Sequence, residues 1–532
     1  MIYLKTDEEI ELLRESNLLV GMTLGELAKW IALLMTVCVL LSCTAALAEE
    51  GEKKEIDTLR IGVAAMPPTM DPTLNVGNAT IRVHYNMFET LIQADENNNY
   101  AHKPMLATEW NRIDDYTIEF KLREGVKWHN GAEMTAEDVK YSFDRLKKGI
   151  TGSELAASLM NTIDHVDVID PYTCRIVTNT VDPLLETRLA SSWGAWILPA
   201  GYIEEVGDDQ FALQSIGTGP YKLVSFSPEK IVLERFEDYW GEKPFAKKVE
   251  YILYSETSTR MTALMTGEVD IITQLPMEQI SSVEAAPGLT VASTPITNMH
   301  LVQFYIDGDE SNPVNNKKLR QALSLAVDRH LLSDAFWGGK AEVPHGHQYP
   351  EFGDMYFSDY PEEEYNVEKA KQLLEESGYN GELITYELKS GYYTYSNEVA
   401  EAIVDMWSEI GVNAQVIFKD KEDDDTVVRN WSNSMRFPDP AGGLWLLWGN
   451  IGDKKWNDMP QEFKDAGSVL TGSLDTEARK EAARKLMDIF REEVPGFLLY
   501  YPVENWGVRE GIHWTPYASQ TINLRADNFW GL

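Results

Sequence analysis

Amphipathic helix patterns and alternating strand patterns follow one another along most of this 532-residue chain. That succession constrains the fold most, because a helix stripe and a strand face bury each other in an α/β layer arrangement. "NNKKLRQALSLAVDRHLLSDAF" at 315–336 puts apolar residues at 319, 322, 323, 325, 326, 331 and 332, one helical face. "NVEKAKQLLEESGYN" at 366–380 reads as a helix with Asn366 as N-cap and Gly378 as its C′ stop. "SNEVAEAIVDMWSEIGVNAQVIF" at 396–418 reads as helix, glycine stop and strand. A long helix over 475–495 precedes the strand-like "GFLLYYP". Upstream, "DTLRIGVAA" at 57–65 and "DYTIEFKL" at 115–122 read as strands, and 219–236 as two strands about a polar turn. The helix over 135–148 starts on Thr135 with Asp138 at N3, in capping-box style, and the helix after 257 ends at Gly267. A chain of this length exceeds one ordinary core and divides into two or more lobes.

The formal net charge of −38 argues against a nucleic-acid partner, which needs clustered Lys and Arg. Residues 30–48, "WIALLMTVCVLLSCTAALA", follow Lys29 and form an apolar run ending in a small-residue "ALA", the pattern of a cleaved signal peptide. Export to the periplasm or the outer face of the cell membrane is therefore expected. "LLSC" at 40–43 resembles a lipobox, which would make Cys43 a lipid-bearing N-terminus, and an uncleaved anchor is a further alternative. Cleavage after Ala48 leaves Cys174 alone of the three cysteines, so no intrachain disulfide is expected and Cys174 reads as a buried, inert thiol. Residues 1–29 precede that signal and resemble the opening helix of bacterial type I methionine aminopeptidases. No downstream segment matches that family's metal-binding Asp, His and Glu residues, so 1–29 reads as an aberrant leader without activity.

Several further stretches occur in a telling order: "KPMLATEW" at 103–110, "EFKLREGVKWHNGAEMTAEDVKYSFDRL" at 119–146 and "SIGTGPYKLVSFSPEKIVLERFEDYWGEKP" at 215–244. "MTALMTGEVDI" at 261–271, "KKLRQALSLAVDRHLL" at 317–332 and "EKAKQLLEESGYN" at 368–380 follow. From about residue 56 onward the chain resembles the extracellular solute-binding proteins of family 5, the dipeptide and oligopeptide receptors of ABC importers. The resemblance implies a two-lobed periplasmic-binding-protein-like fold (type II, cluster C), with a hinge and an interlobe ligand cleft. It implies lobe I over 56–305 with a return at 498–532, and lobe II over 308–496. It also implies a monomeric receptor for a small peptide or peptide-like solute. The receptor hands its cargo to permease subunits served by separate ATPase subunits, and no cofactor is expected.

By the same resemblance, the loop in "WSNSMRFPDP" at 431–440 carries specificity. Peptide binders of the family usually place an aspartate, which holds the peptide ammonium, four residues before the Pro of an Asp-Pro or Glu-Pro pair. Here the pair is Asp439-Pro440 and the matching position is Arg436, a reversal of charge that favours a carboxylate or phosphate. A one-residue gap would instead put Asp439 in the amine-binding role, and a surface pair between Arg436 and an acid is a third reading. Trp193, Trp196, Trp431, Trp445 and Trp448 fall in segments that line the cleft in this family. One or two of them touching ligand and the rest in the core is the expectation.

Other motifs have plain structural readings. Gly217 and Gly219 of "GTGPY" read as positive-φ positions, and no Gly-Lys-Ser/Thr follows to make a phosphate loop. His129 reads as a satisfied turn histidine, and His345 and His347 lack a third partner for a metal site. No Gly-x-Ser-x-Gly elbow, His-Glu-x-x-His or dinucleotide fingerprint occurs, so catalysis finds no support. Three functions stay open: a peptide receptor, a receptor for a non-peptide anionic solute (opine-like or a sugar conjugate) held by Arg436, and a hydrolase on this scaffold.

Overall fold

Two large sheets carry the architecture of the computed structural model, which describes residues 53–532 apart from 76, 149–159, 310, 390–392, 420–426 and 451–455. The leader at 1–29, the signal segment at 30–48 and Cys43 lie outside the described residues. The seven-stranded sheet runs, edge to edge, Leu289–Pro295, Val503–Arg509, Ile271–Ile272, Leu59–Val63, Lys248–Leu253, Lys230–Arg235 and Tyr221–Phe226. Leu59–Val63 lies parallel to both of its neighbours, while Val503–Arg509 runs antiparallel to Leu289–Pro295 and Ile271–Ile272. The five-stranded sheet runs Ala414–Phe418, Ile384–Leu388, Val428–Ser434, Asn298–Phe304 and Gly496–Tyr500. Its strand Asn298–Phe304 is buried at every residue, as a central strand covered on both faces must be. A four-stranded antiparallel sheet, Ala107–Asp114, Thr117–Leu122, Thr173–Thr178 and Ile163–Asp170, is covered by helix Ala136–Lys147. Cys174 is fully buried there, and burial pushes its thiol up to about 12.

The chain passes between the two large sheets twice, from Pro295 to Asn298 and from Tyr500 to Val503. The crossings touch where Ile296 N donates to the Pro502 carbonyl at 3.0 Å, and Thr297 N is held by Ala518 O of the C-terminal segment at 2.9 Å.

Caps fall where the side chains dictate. Asn366 accepts from Lys369 N at 3.0 Å, Gly378 closes that helix at φ 74°, and Gly267 closes Thr257–Thr266 at φ 82°. Asp138 accepts from Thr135 N at 2.8 Å in a capping box. Two expectations are corrected. The pattern over 315–336 folds as two helices, Lys317–Leu325 and Arg329–Trp337, because Asp328 caps the second by accepting from Leu331 N at 3.0 Å. The Arg329 guanidinium then takes up the carbonyls of Ser324 and Val327 at the break and reaches Leu498 O of the strand Gly496–Tyr500. Gly217 and Gly219 do not adopt positive φ. They are glycine because a Cβ would lie 1.9 Å from Met87 O at the first and 2.7 Å from Asn86 O at the second. His129 secures this close approach, accepting from Gly217 N at 3.1 Å and donating to Gly219 O at 2.9 Å. Burial lowers that imidazole to about 4.

An aromatic nucleus holds the five-stranded sheet to its helices. Trp448 is fully buried, with Phe490 at 4.9 Å, Trp431 at 5.5 Å and Trp456 at 6.3 Å between ring centroids. Trp448→Ala should lower stability by about 3–5 kcal/mol, read as a fall in the urea midpoint.

Candidate functional site

The two large sheets face a common cavity of about 480 Å³ at the crossings. Strand periodicity decides which side chains reach it. Asn298 is registered opposite Ser434, and His300 opposite Ser432. Successive side chains alternate between faces, so these four share one face and all line the cavity. Arg436 stands two residues past Ser434 and also lines the cavity. Met435 N donates to Thr297 O at 2.9 Å, which carries the ladder one rung beyond the strand toward Arg436. The seven-stranded sheet's side contributes Ala65, Asn78, Arg82, Gln274, Glu504 and Asn505.

The floor is a buried charge pair. Arg82 Nη2 meets both Glu504 carboxylate oxygens, at 2.6 and 2.8 Å, and Gln520 Nε2 donates to the same carboxylate at 2.8 Å. His300 is buried between Tyr393 and Tyr500, with ring centroids at 4.6 and 5.6 Å. Desolvation lowers it to about 3, so it is neutral at physiological pH. The Arg436 guanidinium carbon lies 3.8 Å from the Trp193 ring centroid, in cation–π range. The Arg436 carbonyl accepts from Ser191 Oγ at 2.6 Å, and its N–H donates to Gly442 O at 3.2 Å, which fixes the loop. Among the described residues, the charged groups lining the cavity are Arg82, Lys389 and Arg436 against Glu504. Counted over the described lining alone, cations outnumber the carboxylate, in a chain of formal charge −38.

Trp193 and Arg436 also wall a side pocket of about 60 Å³, shared with Tyr85, Phe88, Trp196 and Phe437. Glu96 lines it too, accepting from Ser519 Oγ at 2.5 Å and Tyr100 Oη at 3.4 Å. Desolvation outweighs these bonds and pushes its carboxyl up to about 7.

Of the expected site residues, Arg436 and Trp193 meet in the cavity. The others lie elsewhere. Asp439 is buried against Arg479 Nη2 at 2.6 Å and accepts from Ala441 N at 2.9 Å, capping the turn Pro440–Gly442. Burial raises its carboxyl pKa in spite of Arg479. It does not line the cavity, so the amine-binding alternative loses its carboxylate. Trp431 occupies the odd, opposite face of its strand, registered with Leu301 and packed edge-on to Trp448. Trp448 belongs to the aromatic nucleus. Trp445 packs on Phe463 and lines a separate cavity beside Arg188 and Asp182. His345 contacts the Tyr360 carbonyl while His347 is buried against Asn433, so the two imidazoles serve different contacts. The residues that sequence reasoning missed are Asn298, His300, Ser432, Ser434 and the Arg82–Glu504 pair. Alternation in "NMH" and "WSNSMR" was the signal for the first four.

Residues 101–455 match the family model of bacterial extracellular solute-binding proteins, family 5 (middle region). The chain is 28% identical over 455 residues to the probable D,D-dipeptide-binding periplasmic protein DdpA of Escherichia coli K12, covering 80% of this chain and 84% of that one. Among solved structures, the Helicobacter pylori periplasmic binding protein DppA in complex with the peptide STSA superposes at a TM-score of 0.79 and 22% identity, covering 90% of this chain and 99% of that one. The binding protein AgaA of Agrobacterium tumefaciens R10, in complex with agropinic acid, gives a TM-score of 0.76 and 23% identity over 89% and 99%. The fold is thus the two-lobed binding-protein fold of type II, cluster C. The resemblance of residues 1–29 to an aminopeptidase is not borne out by these comparisons.

Glu96 generates a pH prediction. Its folded value of about 7 lies above its ordinary 4.5, so between these the native state keeps a proton that the unfolded chain has lost. Its contribution to stability is fully present below about 4.5 and declines as pH rises through about 7. Glu96→Gln should therefore gain thermal stability relative to wild type as pH rises across that window. Parallel melting curves from pH 5 to 8 check this, and a constant difference would remove Glu96 as the cause.

Proposed function

The chain belongs to the bacterial extracellular solute-binding proteins of family 5, and we propose that it is the extracytoplasmic substrate receptor of an ABC importer. It takes a peptide or peptide-like solute into the cleft between its lobes and presents it to a membrane permease driven by separate ATPase subunits. The observation that carries this reading is Arg436, lying on Trp193 in the cavity between the two large sheets. A guanidinium in a sheltered cleft favours an ionised carboxylate on the ligand. A peptide bears one at its C-terminus.

A non-peptide anionic solute is the second reading. The same Arg436 favours it, and AgaA, alike in fold, is solved with agropinic acid. We set the lobe division at the two touching crossings, near 296–297 and 501–502, where the strands change sheets. The hinge then lies directly beneath the cavity. Closure about it buries the solute and forms the surface that a permease reads. The receptor acts outside the cytoplasmic membrane, and no helix among the described residues is long and apolar enough to cross one.

Native mass spectrometry of the purified protein, wild type beside Arg436→Asp, tests the proposal. An acid or a peptide is expected to leave the wild type. The variant should lose it or bind it about ten- to hundred-fold more weakly, the scale of a charge-assisted hydrogen bond. Equal retention by both proteins would remove Arg436 from recognition.

A further inference from the structure

Tyr395 stands two residues past the cavity wall and joins the two sides of the cleft. Tyr393 lines the cavity, with its ring 4.6 Å from His300 and its hydroxyl donating to Ser432 Oγ at 2.9 Å. The Tyr395 ring packs on the helix Arg329–Trp337 of its own side, with centroids 5.9 Å from Phe336 and 5.1 Å from Trp337. Its hydroxyl reaches the other side. It donates to Glu278 Oε2 at 2.5 Å and accepts from Met277 N at 3.0 Å. One oxygen thus spends its donor and an acceptor site on the same short turn, Met277–Gln279.

Both ends of this contact are fixed. The chain just before Met277 is tied to the strand Val503–Arg509, with Leu275 N donating to Asn505 O at 2.8 Å and Asn505 Nδ2 to Leu275 O at 3.2 Å. Tyr395 sits at φ 60°, in the left-handed region that costs a non-glycine residue backbone energy. Such a conformation persists where its surroundings hold it. Burial, and then the Glu278 carboxylate, push the phenol up, so the hydroxyl keeps its proton and stays a donor. Both bonds need a heavy-atom separation near about 3 Å, so they hold one setting of the two sides.

Building on the receptor reading and its lobe division, we propose that Tyr395 is a positioning residue for solute binding, a clasp that holds lobe II to lobe I when the cleft closes. Met277 and Tyr393 both line the cavity, and Tyr395 does not. A solute that touches both draws their segments together. Tyr395 then adds bonds that the solute does not make itself. Part of the affinity is thereby supplied from outside the cavity, equally for every solute that permits closure.

The test compares wild type with Tyr395→Phe, which keeps the ring and removes the hydroxyl. Hydrogen exchange resolved to the Met277 amide reads the clasp, and small-angle X-ray scattering of the same samples reads the lobes. Tyr395→Phe should speed exchange at Met277 about three- to tenfold, the scale of one net hydrogen bond. It should also raise the radius of gyration and weaken retention of the copurified solute in native mass spectrometry by a similar factor. Exchange in the strand Asn298–Phe304 should not change, which separates opening of the cleft from loss of the fold. Glu278→Ala, an exposed position on the other lobe, should move the same readouts in the same direction, and it serves if Tyr395→Phe folds poorly. An unchanged radius of gyration in both variants would overturn the clasp, even with faster exchange at Met277, because the contact would then be local. Solute on the wild type and equal retention by both variants would also overturn it, and would leave the receptor reading standing. If the lobes open as expected and no protein carries a solute, the clasp stands and the receptor reading loses its support.

Discussion

The Arg82–Glu504 pair is the contact on which the cleft depends. It joins the short helix Asn78–His84 to the strand Val503–Arg509, residues far apart in the chain, and it does so with both carboxylate oxygens engaged. Trp506 lies 5.1 Å beneath the guanidinium, and Gln520, at φ 65°, closes the network from a third segment. A buried ion pair of this kind adds little net stability over an apolar replacement, but removing one partner strands a charge. Its value here is positional: it fixes a polar floor directly under the two crossings.

Above that floor, the cleft's chemistry follows from two simple constraints. The first is alternation along paired strands, which sends Asn298, His300, Ser432 and Ser434 into the cavity and Met299, Leu301, Trp431 and Asn433 away from it. The second is desolvation. It keeps His300 neutral and leaves the arginines and Lys389 to set the sign of the field. The chain as a whole is strongly acidic, so the cations of the described cleft lining stand against a negative overall charge.

The local structure was legible where one side chain decides it. Asn366, Thr135 with Asp138, Gly267 and Gly378 mark helix ends by their own hydrogen bonds or φ angles. The α/β class and two-lobed form were legible from the succession of patterns and the ordered family motifs. What could not be read were properties set by residues distant in sequence. Gly217 looks like a turn glycine until Met87 O appears beside it. Asp439 looks like a ligand anchor until Arg479, 40 residues away, takes its carboxylate. Trp448 and Trp193 are indistinguishable as letters, yet one packs on Phe490 and the other carries Arg436. Trp431 was decidable in principle, since its strand face follows from parity once the register is known.

The double crossing also bears on how the chain acquires its structure. All five strands of the five-stranded sheet come from one continuous stretch, from Asn298 to Tyr500. The seven-stranded sheet is split around that stretch. Its edge strand Leu289–Pro295 pairs only with Val503–Arg509, which must slot between it and Ile271–Ile272. The sheet therefore cannot close until residue 509 has been made, whereas the inserted part has all its pairings earlier. Long-range pairing of this sort is intrinsically slow. The seven-stranded sheet of a chain built this way stays incomplete through most of its synthesis, while the inserted sheet is already free to form.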